Sequence, residues 1–113
     1  RALEIDEKVY GPDHPNVARD VNNLGGVLRA LGDMDGAKKS FERALEIDEK
    51  VYGPDHPNVA MYVGILGRVL RDQGDRDGAK ENFERTLHIF QKFFDEDHPN
   101  IRTARIDLES LNR

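Results

Sequence analysis

The chain has no cysteine, and that one absence removes disulfides, zinc–thiolate sites and thiol nucleophiles together. It fits a reducing compartment, so a cytoplasmic protein is expected. No apolar run approaches the ~18 residues of a membrane span, and no signal-peptide pattern stands among the 113 residues. A soluble protein without membrane contact is expected. An excess of positive charge is missing too: the formal net charge is −5 and the pI about 5.3. That argues against a general nucleic-acid binder, which needs a basic face to displace counterions. Proline is scarce at five residues, while 35% charged and 37% hydrophobic residues describe helical surfaces and not a disordered segment. The phosphate loop G-x-x-x-x-G-K with Ser or Thr, the G-x-G-x-x-G turn, H-E-x-x-H and G-x-S-x-G do not occur. No enzyme and no cofactor are expected.

What is present is repetition. Residues 43–60, RALEIDEKVYGPDHPNVA, repeat residues 1–18 letter for letter, 42 positions on. A third, altered copy covers residues 85–102, RTLHIFQKFFDEDHPNIR, and keeps the leading Arg85, the Leu and Ile positions, the Lys and the Asp-His-Pro-Asn turn. Such a period marks an array of units that cannot bury their apolar faces alone. Arg1 in place of Met, and a first copy that opens partway through a unit, lead to the expectation that the chain is an excerpt from a longer array.

Each unit reads as two helices. Residues 1–10 carry Leu3, Ile5 and Val9 among charges and stop at Gly11-Pro12, as the rear of a helix would. Asp13-His14-Pro15 then starts another, with Pro15 at its first position and His14 or Asp13 as its cap. Val17, Val21, Leu24, Leu28 and Leu31 recur at three- and four-residue spacing, one buried stripe. Gly25 lies in that stripe beside Gly26, and a helical glycine costs roughly 1 kcal/mol relative to Ala. A neighbouring helix crossing close to Gly25 is the expected reason for it. Gly32-Asp33 ends the helix and Asp35 caps the next, whose stripe is Ala37, Phe41, Ala44, Leu45, Ile47 and Val51. Phe41 is expected to fill the space between units. The second unit repeats this with a Gly74-Asp75 break, an Asp77 cap, and Ala79, Phe83, Leu87 and Phe90. The last helix, with Ile101, Ala104, Ile106, Leu108 and Leu111, reads as a terminal cap. The expected fold is all-α, with helices over 15–31, 35–52, 57–73 and 77–93. Its organisation is a partial helix at 1–10, repeats at 15–52 and 57–93, and a capping helix at 99–113.

Two tempting chemistries fail on spacing. His14, His56 and His98 recur once per unit, about 20 Å apart from two ~10 Å helix diameters, whereas zinc ligands converge to ~2 Å from one ion. They are expected to build turns and caps, and the isolated His88 to lie at the surface. Asp33-Met34-Asp35-Gly36 and Asp75-Arg76-Asp77-Gly78 resemble a calcium loop, with Glu42 and Glu84 at the distance of its bidentate ligand. The first ligand position, however, would be Leu31 or Gln73, so a helix-capping turn is expected. No metal site is expected.

Val21-x2-Leu24-Gly25-x2-Leu28 followed by Ala37-x3-Phe41-x2-Ala44, and again Val63, Leu66, Gly67, Leu70, Ala79 and Phe83 with Thr86 for the last Ala, resemble the tetratricopeptide repeat. The 42-residue period, against the usual 34, is similar to the kinesin light chain type. It also resembles the arrays at the C-terminal ends of NB-ARC-type signalling ATPases. HEAT and armadillo repeats have compatible lengths but lack the Leu-Gly and Ala-x3-Phe combination.

The resemblance implies a right-handed solenoid of antiparallel helix pairs that binds a peptide or partner segment on the concave wall made by the first helix of each unit. Carried over by the motif, that wall holds Arg19, Asn22, Asn23, Gly26 and Arg29, then Met61, Gly64, Arg68 and Arg71, then Thr103, Ile106, Ser110 and Arg113. Asn23 falls at the family's asparagine position, where Ile65 and Asp107 stand in the other copies, so an unbroken asparagine ladder is not expected. Arg19, Arg29, Arg68 and Arg71 make the groove basic, with Asp20 and Asp72 at its edges, and imply an acidic partner gripped in bidentate forks. The alternative is that these arginines pair with acids on neighbouring helices. Two functions stay open: a partner-binding scaffold, or an assembly element that extends or oligomerises a larger signalling protein without its own ligand. Self-association is expected at exposed repeat ends.

Overall fold

The structure is a computed structural model in which residues 2–112 are described. Six helices follow one another: α1 (Ala2–Tyr10), α2 (Pro15–Ala30), α3 (Met34–Tyr52), α4 (Pro57–Asp72), α5 (Arg76–Phe93) and α6 (Pro99–Ser110). Among the described residues there is no strand, and no helix is long and apolar enough to cross a membrane. Arg1, which leads the first copy, and Arg113, a groove candidate, lie outside the described residues. The chain divides into two compact units, Arg1–Pro54 with α1 to α3 and Asp55–Arg113 with α4 to α6.

Local chemistry sets each helix start. Pro15, Pro57 and Pro99 open α2, α4 and α6, and the preceding histidine is extended. Its Nδ1 accepts a hydrogen bond from the backbone N–H of Asn16, Asn58 or Asn100, each at 3.0 Å. The histidine, and not Asp13, is therefore the cap. Its ring also packs: His14 stacks on Tyr10 with centroids 4.3 Å apart, and His98 on Phe94 at 3.9 Å. For the second helices the expected caps shift by two residues. Gly32 and Gly74 take φ of 85° and 88°, a left-handed turn that suits glycine. That turn delivers Asp33 and Asp75 to the N-cap, where their carboxylates accept from Gly36 and Gly78 N–H at 2.9 Å. Asp35 and Asp77 sit instead in the first turn, still favourable beside the helix's positive end.

Packing within each unit centres on a glycine and a phenylalanine. A Cβ built on Gly25 would lie 2.8 Å from Cε1 of Phe41, and one on Gly67 2.6 Å from Cε1 of Phe83. Each phenylalanine thus lies flush against the glycine of its own helix pair, and Phe83 also packs against Leu111 at the end of α6. The pairs are antiparallel: Lys50 near the end of α3 reaches Asp13 ahead of α2, and Lys92 near the end of α5 reaches Asp55 ahead of α4. In the second unit α6 closes the other side. Ile101 joins Ala60, Ile89 and Phe90 in one cluster, and Leu111 joins Ala79 and Phe83 in another, with Leu70 and Leu108 against it.

The expected stripe of α2 is only partly buried. Val17 and Val21 are core, but Leu24 is 44% and Leu31 77% exposed. Val51 and Ile106, also expected inside, are exposed.

The adjacent glycines of α2 separate packing from propensity. Nothing lies within 4 Å of a Cβ built on Gly26, so Gly26→Ala should stabilise the chain by up to about 1 kcal/mol. Gly25→Ala should destabilise it by about 1–3 kcal/mol, because the Phe41 ring has to move. Urea unfolding midpoints of the two variants check this, and equal shifts in one direction would remove the close approach as the reason for Gly25.

Candidate functional site

In the second unit a cavity of about 230 Å³ opens between α4 and α6, with α5 as its floor. α4 brings Met61, Gly64, Ile65 and Arg68; α5 brings Thr86 and Phe90; α6 brings Asn100, Thr103, Ala104 and Asp107. These positions follow from helical period: residues 61, 64, 65 and 68 share one face of α4, as 100, 103, 104 and 107 do on α6. Gly64 has no side chain to cover the floor, and a Cβ there would meet Thr86 at 3.4 Å. The Thr86 hydroxyl lies 3.1 Å from the Ala60 carbonyl and 2.9 Å from that of Asn82, so this buried polar group has acceptors at hand.

Charge concentrates at one end of the cavity. Nε and Nη2 of Arg68 donate to the Asp107 carboxylate at 3.1 to 3.4 Å, a fork geometry stronger than a single charged contact. Arg71, one turn on, donates through Nη1 to Ser110 Oγ at 2.9 Å. It also lies 3.9 Å from Asp107 and 3.7 Å from Asp72, with its guanidinium 5.9 Å from the Phe83 ring centre. Ser110 Oγ in turn donates to the Asp107 carbonyl at 2.6 Å. Asp107 therefore ties both arginines of α4 to α6. The Arg68 side chain is still 33% exposed, and its bonds engage Nε and Nη2, while a guanidinium carries five N–H donors.

Of the residues singled out in the second unit, Met61, Gly64, Arg68 and Thr103 line this one cavity. Arg71 lies beside it, in a second depression with Ser110, Gly74, Arg76 and Leu111. Ile106 is 59% exposed and is not among the lining residues. In the first unit Arg19, Asn23 and Gly26 are exposed on α2, and Asn22 and Arg29 half-buried. Arg19 lies 3.6 Å from Asp6 and 3.7 Å from Asp20. The motif did not point to Thr86 or Phe90, which belong to the second helix of the pair. Their signal was the glycine opposite, since a small residue at 64 lets α5 side chains reach the groove floor. Asp107 drew notice only as a substitute for asparagine, and its sequence gives no sign of the partner it takes on α4. Among the described residues no three His, Cys, Asp or Glu side chains gather as a metal site would require.

Comparison with known proteins places this geometry. Residues 20–87, more than half of the chain, match the tetratricopeptide repeat. No curated protein matches the chain. Among solved structures, BtubC (BKLC) from P. vanneervenii superposes with a TM-score of 0.88 at 24% identity, over 96% of this chain and 44% of that one. Nearly identical TPR-like repeats attributed to a kinesin light chain of Podosopora anserina give 0.87 at 22% identity, over 96% of this chain and 52% of theirs. A variant of those repeats gives 0.87 at 22% identity, over 96% and 51%. The chain spans about half the length of the solved structures it matches. At these identities the likeness shows the fold: all-α helix pairs of the kind found in kinesin-light-chain-like repeats.

The α4–α6 ties are testable as a pair. A double-mutant cycle of Arg68→Ala and Asp107→Ala, read by urea unfolding, should give a favourable coupling near 1 kcal/mol: above the few tenths of an open surface pair, because Asp107 is buried, but limited by the exposure of Arg68. A coupling of zero would mean that the fork contributes nothing to the fold.

Proposed function

Because the chain belongs to the tetratricopeptide repeat family, whose repeats generally mediate protein–protein interaction, we propose that it is a cytoplasmic interaction scaffold whose repeats act as one array. The α4–α6 cavity seats an extended, acidic partner segment. The observation that carries this reading is the lining of that cavity, where Met61, Ile65 and Phe90 supply apolar surface and Arg68 has N–H donors beyond those that bond Asp107. An apolar side chain of the segment fits against the former and a carboxylate meets Arg68, with Thr103 and Asn100 able to bond its backbone. On α2 the matching register, Arg19, Asn22, Asn23, Gly26 and Arg29, offers contacts of its own.

Asp107 sets the strength of this preference. Arg68 and Arg71 face Asp107 and Asp72, so the acids offset the two cations and an incoming carboxylate has to share Arg68. The result is a modest, salt-sensitive selectivity, since partly exposed charges are screened over a ~10 Å Debye length at 0.1 M salt. Fluorescence anisotropy with short peptides that carry one leucine and either acidic, neutral or basic neighbours tests it. Acidic peptides should bind best and weaken with salt. Arg68→Ala should lower their affinity roughly tenfold, the ~1.4 kcal/mol of one charged contact, and Asp107→Asn should raise it. Salt-independent binding of a purely apolar peptide would count against the proposal.

A second reading, assembly without a ligand, draws on the first unit. Leu24 and Val27 on α2 and Leu31 at its C-cap fall in one row and are 44%, 56% and 77% exposed, an apolar strip of the kind that marks contact surfaces. Light scattering across a dilution series should show association that Leu24→Gln with Val27→Gln abolishes. A chain that stays monomeric at high concentration removes this reading and leaves the cavity untouched.

A further inference from the structure

The first unit also holds two carboxyl groups that neither reading uses. Asp20 on α2 has a side chain only 7% exposed, and its Oδ2 is buried without a hydrogen-bond partner. Asp6 on α1, 18% exposed, shares with it the Nη2 group of Arg19, at 3.6 Å from Asp6 Oδ2 and 3.7 Å from Asp20 Oδ1. Arg19 is itself 62% exposed, so water screens its charge. From α3, Arg43 is engaged with Glu7 at 2.7 Å and Lys50 with Asp13 at 3.5 Å. One screened cation does not balance two carboxylates in a mostly buried site.

We propose that Asp6 and Asp20 share one proton in the folded unit, and that this proton clasps α1 to α2, so that the first helix is released as pH rises.

A proton held between the two carboxyls supplies the missing hydrogen bond: the O–H of one acid donates to an oxygen of the other. The Asp20 carboxyl is raised from its ordinary value first by that bond with Asp6, then by burial and by the Asp6 charge, while Arg19 pulls it down. The folded unit therefore keeps a proton that the unfolded chain has already shed. Its contribution is complete below the ordinary carboxylate range and is lost as pH rises through the raised value. α1 is otherwise joined to α3 by Glu7 and Arg43; none of its described residues is buried, and Ile5 and Val9 are 51% and 67% exposed. The pair is particular to the first copy: at the register of Asp20 the later copies carry Tyr62 and Ala104. Release has a consequence on α2. Asp20 lies in one helical row with Val17, Leu24 and Val27, so undocking α1 lengthens the exposed apolar strip.

Amide hydrogen exchange of the whole chain, followed by NMR between about pH 4 and 8 and corrected for intrinsic rates, tests this with the α5 amides as an internal reference. Protection of α1 relative to α5 should fall with rising pH, by at most about tenfold per pH unit, the limit for one linked proton. Asp20→Asn, whose amide donates to Asp6 as the shared proton would, should hold α1 at its acid-side protection throughout. Asp6→Asn should act in the same way, and serves if the first variant does not fold. Flat protection in the wild type, or an unchanged pH dependence in both variants, overturns the proposal. So does calcium or magnesium restoring α1 protection at neutral pH, which would put a cation where the proton is placed.

Discussion

Each unit depends on how closely a phenylalanine of one helix can approach a glycine of the other. Phe41 over Gly25 and Phe83 over Gly67 leave no room for even one methyl group. A buried phenylalanine represents about 3–5 kcal/mol against its removal, more than the roughly 1 kcal/mol that a helical glycine costs. The exchange is favourable, and it fixes both separation and register. Once residue 83 sits on 67, Thr86 must lie beneath Gly64 and Phe90 near Ala60, one helical turn at a time.

That register creates the cavity. Two first helices, α4 and α6, stand on either side of α5, and small residues at 64 and 104 leave the space between them open. The polar end follows from a second constraint. Asp107 is 9% exposed, and a buried carboxylate needs donors; Arg68 provides them, with the Arg71 guanidinium 3.9 Å away. The same contacts that hold α6 to α4 also moderate the positive charge offered to a partner. Stability and selectivity therefore share residues here.

The first unit lacks such balance. α1 meets α2 through a carboxyl pair and a mostly exposed arginine, and α3 through Glu7 and Arg43. Apolar rows meant for burial stay in contact with water, and two acids sit where one would be easier to hold. Both features belong to an element whose attachment is weak enough for solution conditions to shift it.

The 42-residue period, the all-α fold and the six helices were legible in the letters alone, because proline, glycine and capping residues act over four or five neighbours and apolar spacing reports one face at a time. Gly25 was legible as a close approach for the same reason. Cap identity was less so: Asp33 and Asp35 are both good caps, and the left-handed turn at Gly32 chose between them. Burial of Leu24 and Leu31 depended on what packs over that face, which periodicity within α2 does not contain. Arg68 and Arg71 could be placed on a groove face by spacing, but their pairing with Asp107, 39 and 36 residues away in sequence, was settled only when α6 packed beside α4. So was the meeting of Asp6 with Asp20. Sequence determines which face a side chain occupies, since that depends on local helical geometry; tertiary structure decides which charge it meets there, since that depends on helices brought together by the core.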